Sequence, residues 1–306
     1  MAKDTFCAIF IGAMGTILLI INFGLLLFWI RLWADPRREF YFNPFLSGPV
    51  KFVDSVVGAL GLPVRLTCIL IIGFGLIFKT AVAFRYSYPW ELSLGSVFFF
   101  TPTTSVFSQL LTFSVLDFLL FVVRLWTTYL LIGLITPAAR HNRATEAFHF
   151  AARPFSLMAP LARFALLVAA HVLIVFELTQ SATYRTLEVA SVRGGLPQMP
   201  PTGLPEVVVS FLRLGWMAAA SFADGLNAMR SAVMVLVISS LLAMIMRNNL
   251  LRQISHEALN VVMGRFARSS FSAGVVDLGP LVFFFALQII YSVVSSLLLS
   301  LTTMVS

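Results

Sequence analysis

Residues 5–30 read TFCAIFIGAMGTILLIINFGLLLFWI, an apolar stretch without a single charged side chain. Its one strongly polar side chain is Asn22. About 20 such residues in an α-helix cross the hydrocarbon core of a bilayer. A cleavable signal peptide has a shorter apolar region that ends at a small-residue cleavage site, and this stretch has neither feature. We therefore predict a retained transmembrane helix.

The composition extends this prediction to the whole chain. Of its 306 residues, 59% are hydrophobic and 11% are charged, whereas soluble domains carry about 25% charged residues. We predict an all-α, polytopic membrane protein with about six transmembrane helices and three interfacial amphipathic helices. The predicted spans are Phe6–Trp33, Leu66–Phe84, Val106–Thr136, Phe164–Thr179, Val207–Met246 and Pro280–Thr303.

Two apolar stretches are too long for a single crossing. The stretch from Leu92 to Ala139 would form a helix about 72 Å long at 1.5 Å per residue, and Pro102 is the natural place for a break. Leu92–Phe100 would then lie in the membrane interface or re-enter the membrane. In Val207–Met246, only part of the stretch would lie in lipid, and Gly225 is the expected position of a bend.

The same order of segments occurs three times along the chain, which indicates an internal repeat. Each unit has an apolar span, a basic amphipathic segment and a second span. The units cover residues 1–88, 92–185 and 205–306, and a Gly/Pro-rich linker at 192–205 precedes the last one. A constant offset of 107 places the polar residues Ser114, Asp117, Arg140 and His149 onto Ser221, Asp224, Arg247 and His256.

Basic residues concentrate in the segment between the two spans of each unit. Because cytoplasmic loops carry an excess of Lys and Arg, these segments should be cytoplasmic and both termini should lie outside the cytoplasm. The formal net charge of +8 therefore indicates membrane orientation, and we expect no nucleic-acid partner. Amphipathic helices of this kind lie at the headgroup boundary and bind anionic lipids. The predicted headgroup contacts are Arg37, Arg38, Lys51, Arg140, Arg143, Arg153, Arg247 and Arg252.

Five charged residues lie well inside apolar stretches: Asp117, Arg124, Arg213, Asp224 and Arg230. A charge at the bilayer centre costs about 2.5–3.5 kcal/mol on insertion scales, so such residues are paired or functional. Three interpretations are open: pairing between the second and third units, an ion or proton path, and docking of a partner subunit. Lys79 and Glu177, near the ends of spans, are expected to snorkel toward the interface.

The sequence offers no pattern of catalytic or ligand-binding residues. His171 is the one histidine within a predicted span, so a haem with two histidine ligands inside the bundle is not expected. His149 and His256 lack other metal ligands at suitable spacing. The chain has no phosphate-binding loop and no nucleophile elbow. We predict that it is not an enzyme and binds neither cofactor nor metal.

The third unit carries a more specific signal: Arg265-Phe266-Ala267-Arg268, followed by Gly274-Val275-Val276-Asp277-Leu278-Gly279-Pro280 at the start of an apolar helix. This resembles the YggT (YlmG) family of small integral membrane proteins. The motif residues are Arg265, Arg268, Gly274, Asp277 and Pro280, and we expect Asp277 to cap the last helix. Related features elsewhere are Asn43-Pro44 and Pro63-x-Arg65 in the first unit, and Arg153-Pro154 and Pro160-x-x-Arg163 in the second.

The chain departs from the family pattern at several points. Gly279 replaces the usual Ser, the first two units lack the Asp-x-x-Pro signature, and three copies stand where the family has one or two. The resemblance implies a non-catalytic protein of the bacterial inner membrane. We predict a scaffold or accessory subunit that binds other integral membrane proteins and anionic lipid. Two alternatives remain: an ion channel or transporter linked to osmotic tolerance, and an accessory factor in membrane cytochrome maturation.

Overall fold

Six long helices form the body of the protein. The computed structural model describes residues 2–33, 41–102, 106–136, 143–186, 206–268, 272–273 and 276–305. Each predicted span corresponds to a helix that is long and apolar enough to cross a membrane, so the predicted all-α polytopic class is confirmed. The six are α1 (Ala2–Trp33), α3 (Val64–Arg85), α4 (Phe107–Ile135), α6 (Pro160–Ser181), α7 (Glu206–Ile245) and α9 (Gly279–Val305).

The long helices pack as antiparallel pairs around α4. Helix α3 runs antiparallel to α1, because Gly75 lies beside Leu25 whereas Tyr88 lies beside Gly15. It also runs antiparallel to α4, because Lys79 contacts Asp117 whereas Phe84 contacts Phe107. Helix α6 runs antiparallel to α4 and α7, with His171 between Thr127 and Ser221. Consequently α1, α4 and α7 point one way and α3, α6 and α9 the other. Half of the α4 span is buried, the largest share among the six.

Three short helices lie together at one end of this bundle, each between two long helices in the chain. They are α2 (Ser47–Leu60), α5 (Arg143–Ala151) and α8 (Asn249–Met263). Residues of α5 and α8, among them Ala144 and Val262, share a buried apolar cluster with the end of α4, the second half of α7 and the first turns of α9. The order of long, short and long helices occurs three times along the described residues, and the assignment of these segments to three repeated units stays a prediction. Placement of the short helices at a membrane surface remains a prediction.

Helix α7 continues without interruption through Gly225, where the sequence suggested a bend. Glycine has a packing role here, because a Cβ atom at this position would overlap with Cγ2 of Thr127 and lie 3.0 Å from its Cβ. With 40 residues, α7 is about 60 Å long, roughly twice the hydrocarbon thickness. Part of it therefore extends beyond the lipid core, as expected from the sequence.

A β-hairpin enters the bundle from the end opposite the short helices. Strands β1 (Leu92–Leu94) and β2 (Phe98–Pro102) are antiparallel, and β3 (Ala182–Thr186) pairs with β2 on its other side. Gly95 and Ser96 are the central residues of the turn from Leu94 to Val97, and their φ values are 61° and 57°, the pattern of a type I′ turn. The chain thus breaks at Pro102, as predicted, and the segment before it re-enters the bundle as a hairpin.

Two very short strands, β4 (Ser272–Ala273) and β5 (Val276–Asp277), pair just before α9. Two 3₁₀ turns, Phe155–Leu157 and Gly264–Arg268, precede α6 and follow α8. The predicted linker at 192–205 lies outside the described residues.

Candidate functional site

Lys79 lies at the centre of a polar cluster formed by the first two units. Its ammonium group forms an ion pair with Asp117 of α4 and donates a hydrogen bond to Oδ1 of Asn22 in α1 at 2.8 Å. Asn22 in turn donates from Nδ2 to Asp117 at 3.1 Å. The three side chains therefore form a closed triangle. The ring of Trp90 lies 4.7 Å from the ammonium nitrogen and adds a cation–π contact.

The structure contradicts the prediction that Lys79 snorkels. Its side chain is 0% exposed, and its polar contacts are within the bundle. The physical reason is that a carboxylate and an amide oxygen lie within reach, so the ammonium group is neutralised and hydrogen bonded without reaching water. Asp117 lies ten residues after the start of α4, about 15 Å along the helix. The triangle is therefore well inside the membrane-spanning region.

Arg124 and Asp224 form a second interior ion pair, between α4 and α7. The guanidinium also donates to the backbone carbonyl of Ser93 in the hairpin. The backbone N–H of Gly95 donates to the other carboxylate oxygen of Asp224 at 3.0 Å. The tip of the hairpin is therefore tied to both members of the ion pair. Non-helical backbone is found at membrane depth only where protein surrounds it or water reaches it, and these contacts meet the first condition.

The last helix completes this cluster from the third unit. The hydroxyl of Tyr291 in α9 lies 2.8 Å from Oγ of Ser96 at the hairpin tip and is close enough to the carboxylate of Asp224 to interact with it. One carboxylate thus joins α4, α7, α9 and the hairpin. A side-chain interaction of this kind fixes helix register because each partner has a defined height along its own helix.

His171 links α6 to the same pair of helices. Its Nε2 lies 3.0 Å from Oγ1 of Thr127 in α4, and its Nδ1 lies 2.7 Å from Oγ of Ser221 in α7. The ring is buried and contacts Phe222 edge-on. Both ring nitrogens are engaged by hydroxyl groups, so the histidine acts here as a connector between helices.

Arg230 lies six residues beyond Asp224 on α7 and contacts α9. Its Nη1 donates to Oε1 of Gln288, and its guanidinium carbon lies 5.5 Å from the ring centre of Tyr291. No carboxylate of the described residues lies within ion-pair distance. The remaining predicted charge, Arg213, is half-buried and lies about 16 Å nearer the start of α7 than Asp224.

The structure therefore brings together some of the five predicted interior charges and separates others. Arg124 and Asp224 meet across the second and third units. Asp117 lies on the same helix as Arg124, but its ion pair is with Lys79 of the first unit. The sequence did not identify Lys79, Asn22, Gln288 or Tyr291 as members of these clusters.

The family-motif residues are only partly described. Pro280 lies in the first turn of α9 and Arg265 is exposed in the 3₁₀ turn after α8. Gly274 and the side chains of Arg268 and Asp277 lie outside the described residues, so the predicted cap by Asp277 stays a prediction. The backbone of Asp277 belongs to β5, where it pairs with Ser272.

Two other residues that carry the resemblance have defined contacts. The side-chain oxygen of Asn43 accepts a hydrogen bond from the backbone N–H of Phe45, and its Nδ2 donates to the carbonyl of Arg143 at 3.0 Å and to Glu146 at 3.2 Å. It thereby joins the first unit to α5 of the second. Arg163 donates to the carbonyls of Met158 and Ser156 just before α6.

The predicted headgroup residues that the structure describes lie at the end of the bundle that contains the short helices. Lys51, Arg143, Arg247 and Arg252 are exposed, and Arg153 is half-buried with its guanidinium over the ring of Phe150. Arg37, Arg38 and Arg140 lie outside the described residues.

At the end of the bundle that contains the short helices, Tyr41 donates a hydrogen bond to Asp54, which also pairs with Arg31. That hydrogen bond, together with burial, raises the pKa of the Tyr41 phenol.

The chemistry of these clusters is that of ion pairs and hydrogen bonds between helices, although Nε of Arg124 lacks a hydrogen-bond partner among the described residues. Within the described ranges, no group of three or more His, Cys, Asp or Glu side chains is arranged to hold a metal ion. Comparison of the chain with models of protein families, with curated proteins and with solved structures gives no match. The YggT resemblance and the repeat therefore stay hypotheses that rest on the quoted residues.

Proposed function

We propose that this protein is a non-catalytic integral membrane scaffold or accessory subunit that binds other membrane proteins. The observation that supports this function is that two interior cations each form an ion pair with a carboxylate inside the bundle. Lys79 with Asp117, and Arg124 with Asp224, neutralise one another and connect helices of different units. Such contacts produce a rigid bundle in which the outer faces of the helices remain available for partners.

The scaffold proposal predicts stoichiometric partners. The tagged protein would be purified from its native membranes in mild detergent, and co-purifying proteins would be quantified by mass spectrometry. An unrelated six-span protein carrying the same tag, purified in parallel, is the control. One or more partners near unit stoichiometry would support the proposal, whereas a monodisperse protein without partners would contradict it.

Anionic lipid is the second proposed ligand, bound by the basic residues around the short helices. Native mass spectrometry with phosphatidylglycerol would test this directly. Replacing the exposed residues Lys51 and Arg252 with Gln should reduce lipid retention. The control is Arg85→Gln, which removes an exposed charge at the opposite end of the bundle. An equal loss in both variants would contradict a specific role of the short helices.

Localisation in the bacterial inner membrane, with both termini outside the cytoplasm, belongs to the same proposal. It is supported by the basic residues clustered at the end of the bundle that contains α2, α5 and α8. Reporter fusions at the two termini, one active only in the periplasm and one only in the cytoplasm, would test it. Cytoplasmic activity at either terminus would contradict the proposed orientation.

A channel or transporter is the second candidate, and one observation favours it. The side chains of Asp117 and Arg124 remain 20% and 26% exposed although they lie far along α4. Non-helical backbone beside charged groups at mid-membrane depth is typical of transporter binding sites. Ion flux would be measured in liposomes with the wild-type protein and with Asp117→Asn and Asp224→Asn. Flux that neither substitution alters would eliminate this candidate.

A further inference from the structure

Arg230 leaves one positive charge without a carboxylate in the interior of the described bundle. Lys79 is neutralised by Asp117 and Arg124 by Asp224. The contacts of Arg230 are the neutral amide of Gln288 and the ring of Tyr291. Asp224 is already engaged by Arg124, the N–H of Gly95 and the hydroxyl of Tyr291. A charged side chain inside a membrane-spanning bundle is costly unless it is paired.

The position of Arg230 along its helix favours a group on another helix over a lipid headgroup as the source of a counter-charge. Gln288 lies nine residues after the start of α9, about 14 Å along the helix. That distance is roughly half of the 30 Å hydrocarbon core. A lipid phosphate at the level of the start of α9 would have to move about 14 Å along the helix to pair with Arg230. A group carried by a membrane-spanning helix already lies at this depth.

The outer surface beside Arg230 has the shape that a neighbouring helix requires. Gln288 is followed on the same face of α9 by Ser292, Ser296 and Ser300, all three of which are exposed, and Nε2 of Gln288 lies 3.5 Å from Oγ of Ser292. Small residues at four-residue spacing let two helices approach closely in a membrane. Apolar side chains flank this row, among them Phe285, Ile289 and Val293.

We propose that this face of α7 and α9 binds a membrane-spanning helix of another protein that carries an Asp or Glu near its midpoint. The carboxylate pairs with Arg230, and the helix packs along the serine row. A second copy of this chain does not supply such a group from its described spans, because Asp117 and Asp224 are already paired and Glu177 lies four residues from the end of α6. The inference rests on the scaffold function proposed above and specifies its partner.

The test uses host helices of known sequence. Leu/Ala transmembrane peptides with Asp, Asn or Leu at the central position would be incorporated into phosphatidylcholine vesicles with the labelled full-length protein, and association would be measured by energy transfer. We expect the Asp peptide to associate about tenfold more strongly than the Leu peptide, as a polar contact of about 1–2 kcal/mol implies. The Arg230→Leu variant should lose this difference, and Arg85→Leu, which removes a charge elsewhere, should retain it.

Further variants keep the result interpretable if Arg230→Leu does not fold. Arg230→Lys keeps the charge and should keep the preference for the Asp peptide. Ser292→Leu and Ser296→Leu keep Arg230 but crowd the row, and should weaken binding of the Asp peptide. Equal association of the Asp and Leu peptides would overturn the proposal. So would association that requires phosphatidylglycerol but not the acidic residue, because Arg230 would then bind a lipid phosphate.

The scaffold function and this site fail in different ways. If native partners co-purify with wild-type protein and equally with Arg230→Leu, the scaffold function stands and the α7–α9 site is wrong. If no partner co-purifies with wild-type protein, the scaffold function itself is contradicted, whatever the peptides show.

Discussion

The guanidinium of Arg124 in α4 is paired with the carboxylate of Asp224 in α7, and the tip of a β-hairpin contacts both groups. This pair lies between the second and third units of the chain. Its position explains how a short irregular segment is tolerated inside an apolar bundle. The carbonyl of Ser93 and the N–H of Gly95 would otherwise lack partners, which costs several kcal/mol per group in lipid.

Removal of one member of this pair should be more damaging than removal of both. We expect Asp224→Leu to lower the free energy of unfolding by about 3–5 kcal/mol, because Arg124 would remain charged inside the bundle without a carboxylate. The double variant Arg124→Leu/Asp224→Leu should recover much of this loss. Denaturation in mild detergent, followed by circular dichroism, measures the free energy of unfolding.

The double-mutant cycle distinguishes the interaction between Arg124 and Asp224 from the contacts that each of them makes with the hairpin. A coupling energy near zero in the double-mutant cycle would mean that Arg124 and Asp224 do not interact as described. Incomplete recovery is expected, since the carbonyl of Ser93 and the N–H of Gly95 lose their partners in the double variant.

Lys79 provides a second test, which distinguishes a buried ion pair from a snorkelling side chain. Lys79→Met keeps the length of the side chain and removes the charge, so Asp117 retains only Asn22. We expect a loss of about 3–5 kcal/mol in the free energy of unfolding, partly restored by adding Asp117→Asn. Lys51→Met is the control, because the side chain of Lys51 is exposed. Similar unfolding curves for Lys79→Met and Lys51→Met would contradict the buried triangle.

The helices of this fold were predictable from sequence because length and apolar character alone decide whether a segment spans a bilayer. Residues 5–30 illustrate this, since α1 contains the whole stretch. Pro102 likewise marked a real break, because proline cannot donate to a helix ladder. Such signals are local and need no knowledge of which helices become neighbours.

The contacts of the charges were not predictable in the same way. Lys79 lies six residues from the end of α3, and sequence distance to the end favoured an interfacial position. Its true environment depends on α1 and α4, which bring Asn22 and Asp117 to it. The hairpin did carry a local signal that was missed: Gly95-Ser96 stands between apolar residues, and Gly followed by a small polar residue is typical of a hairpin turn.

Two glycines should respond in opposite directions to the same substitution. Gly225→Ala places a methyl group against Thr127 and should destabilise the protein by about 1–3 kcal/mol through overpacking. Gly133→Ala in α4 meets no atom within 4 Å and should stabilise it by up to about 1 kcal/mol through helix propensity. Thermal unfolding in detergent compares the two variants. A stabilising Gly225→Ala would show that α4 and α7 are not in close contact there.

The hairpin tip gives the last prediction, which concerns Gly95. Its φ of 61° is unfavourable for other residues, and a Cβ atom there would lie 3.0 Å from Cβ of Ala220 and 3.1 Å from its carbonyl oxygen. We expect Gly95→Ala to displace the tip and to break the hydrogen bond from its N–H to Asp224. The free energy of unfolding should fall by about 2–4 kcal/mol, from backbone strain and overpacking combined.

Hydrogen exchange resolved to residues 92–102 measures the effect, with Gly215→Ala as a control because its added methyl group meets no neighbour within 4 Å. Faster exchange in the hairpin of Gly95→Ala, with unchanged exchange in Gly215→Ala, is the expected result. Unchanged protection in both variants would mean that the tip does not depend on its contacts with α7.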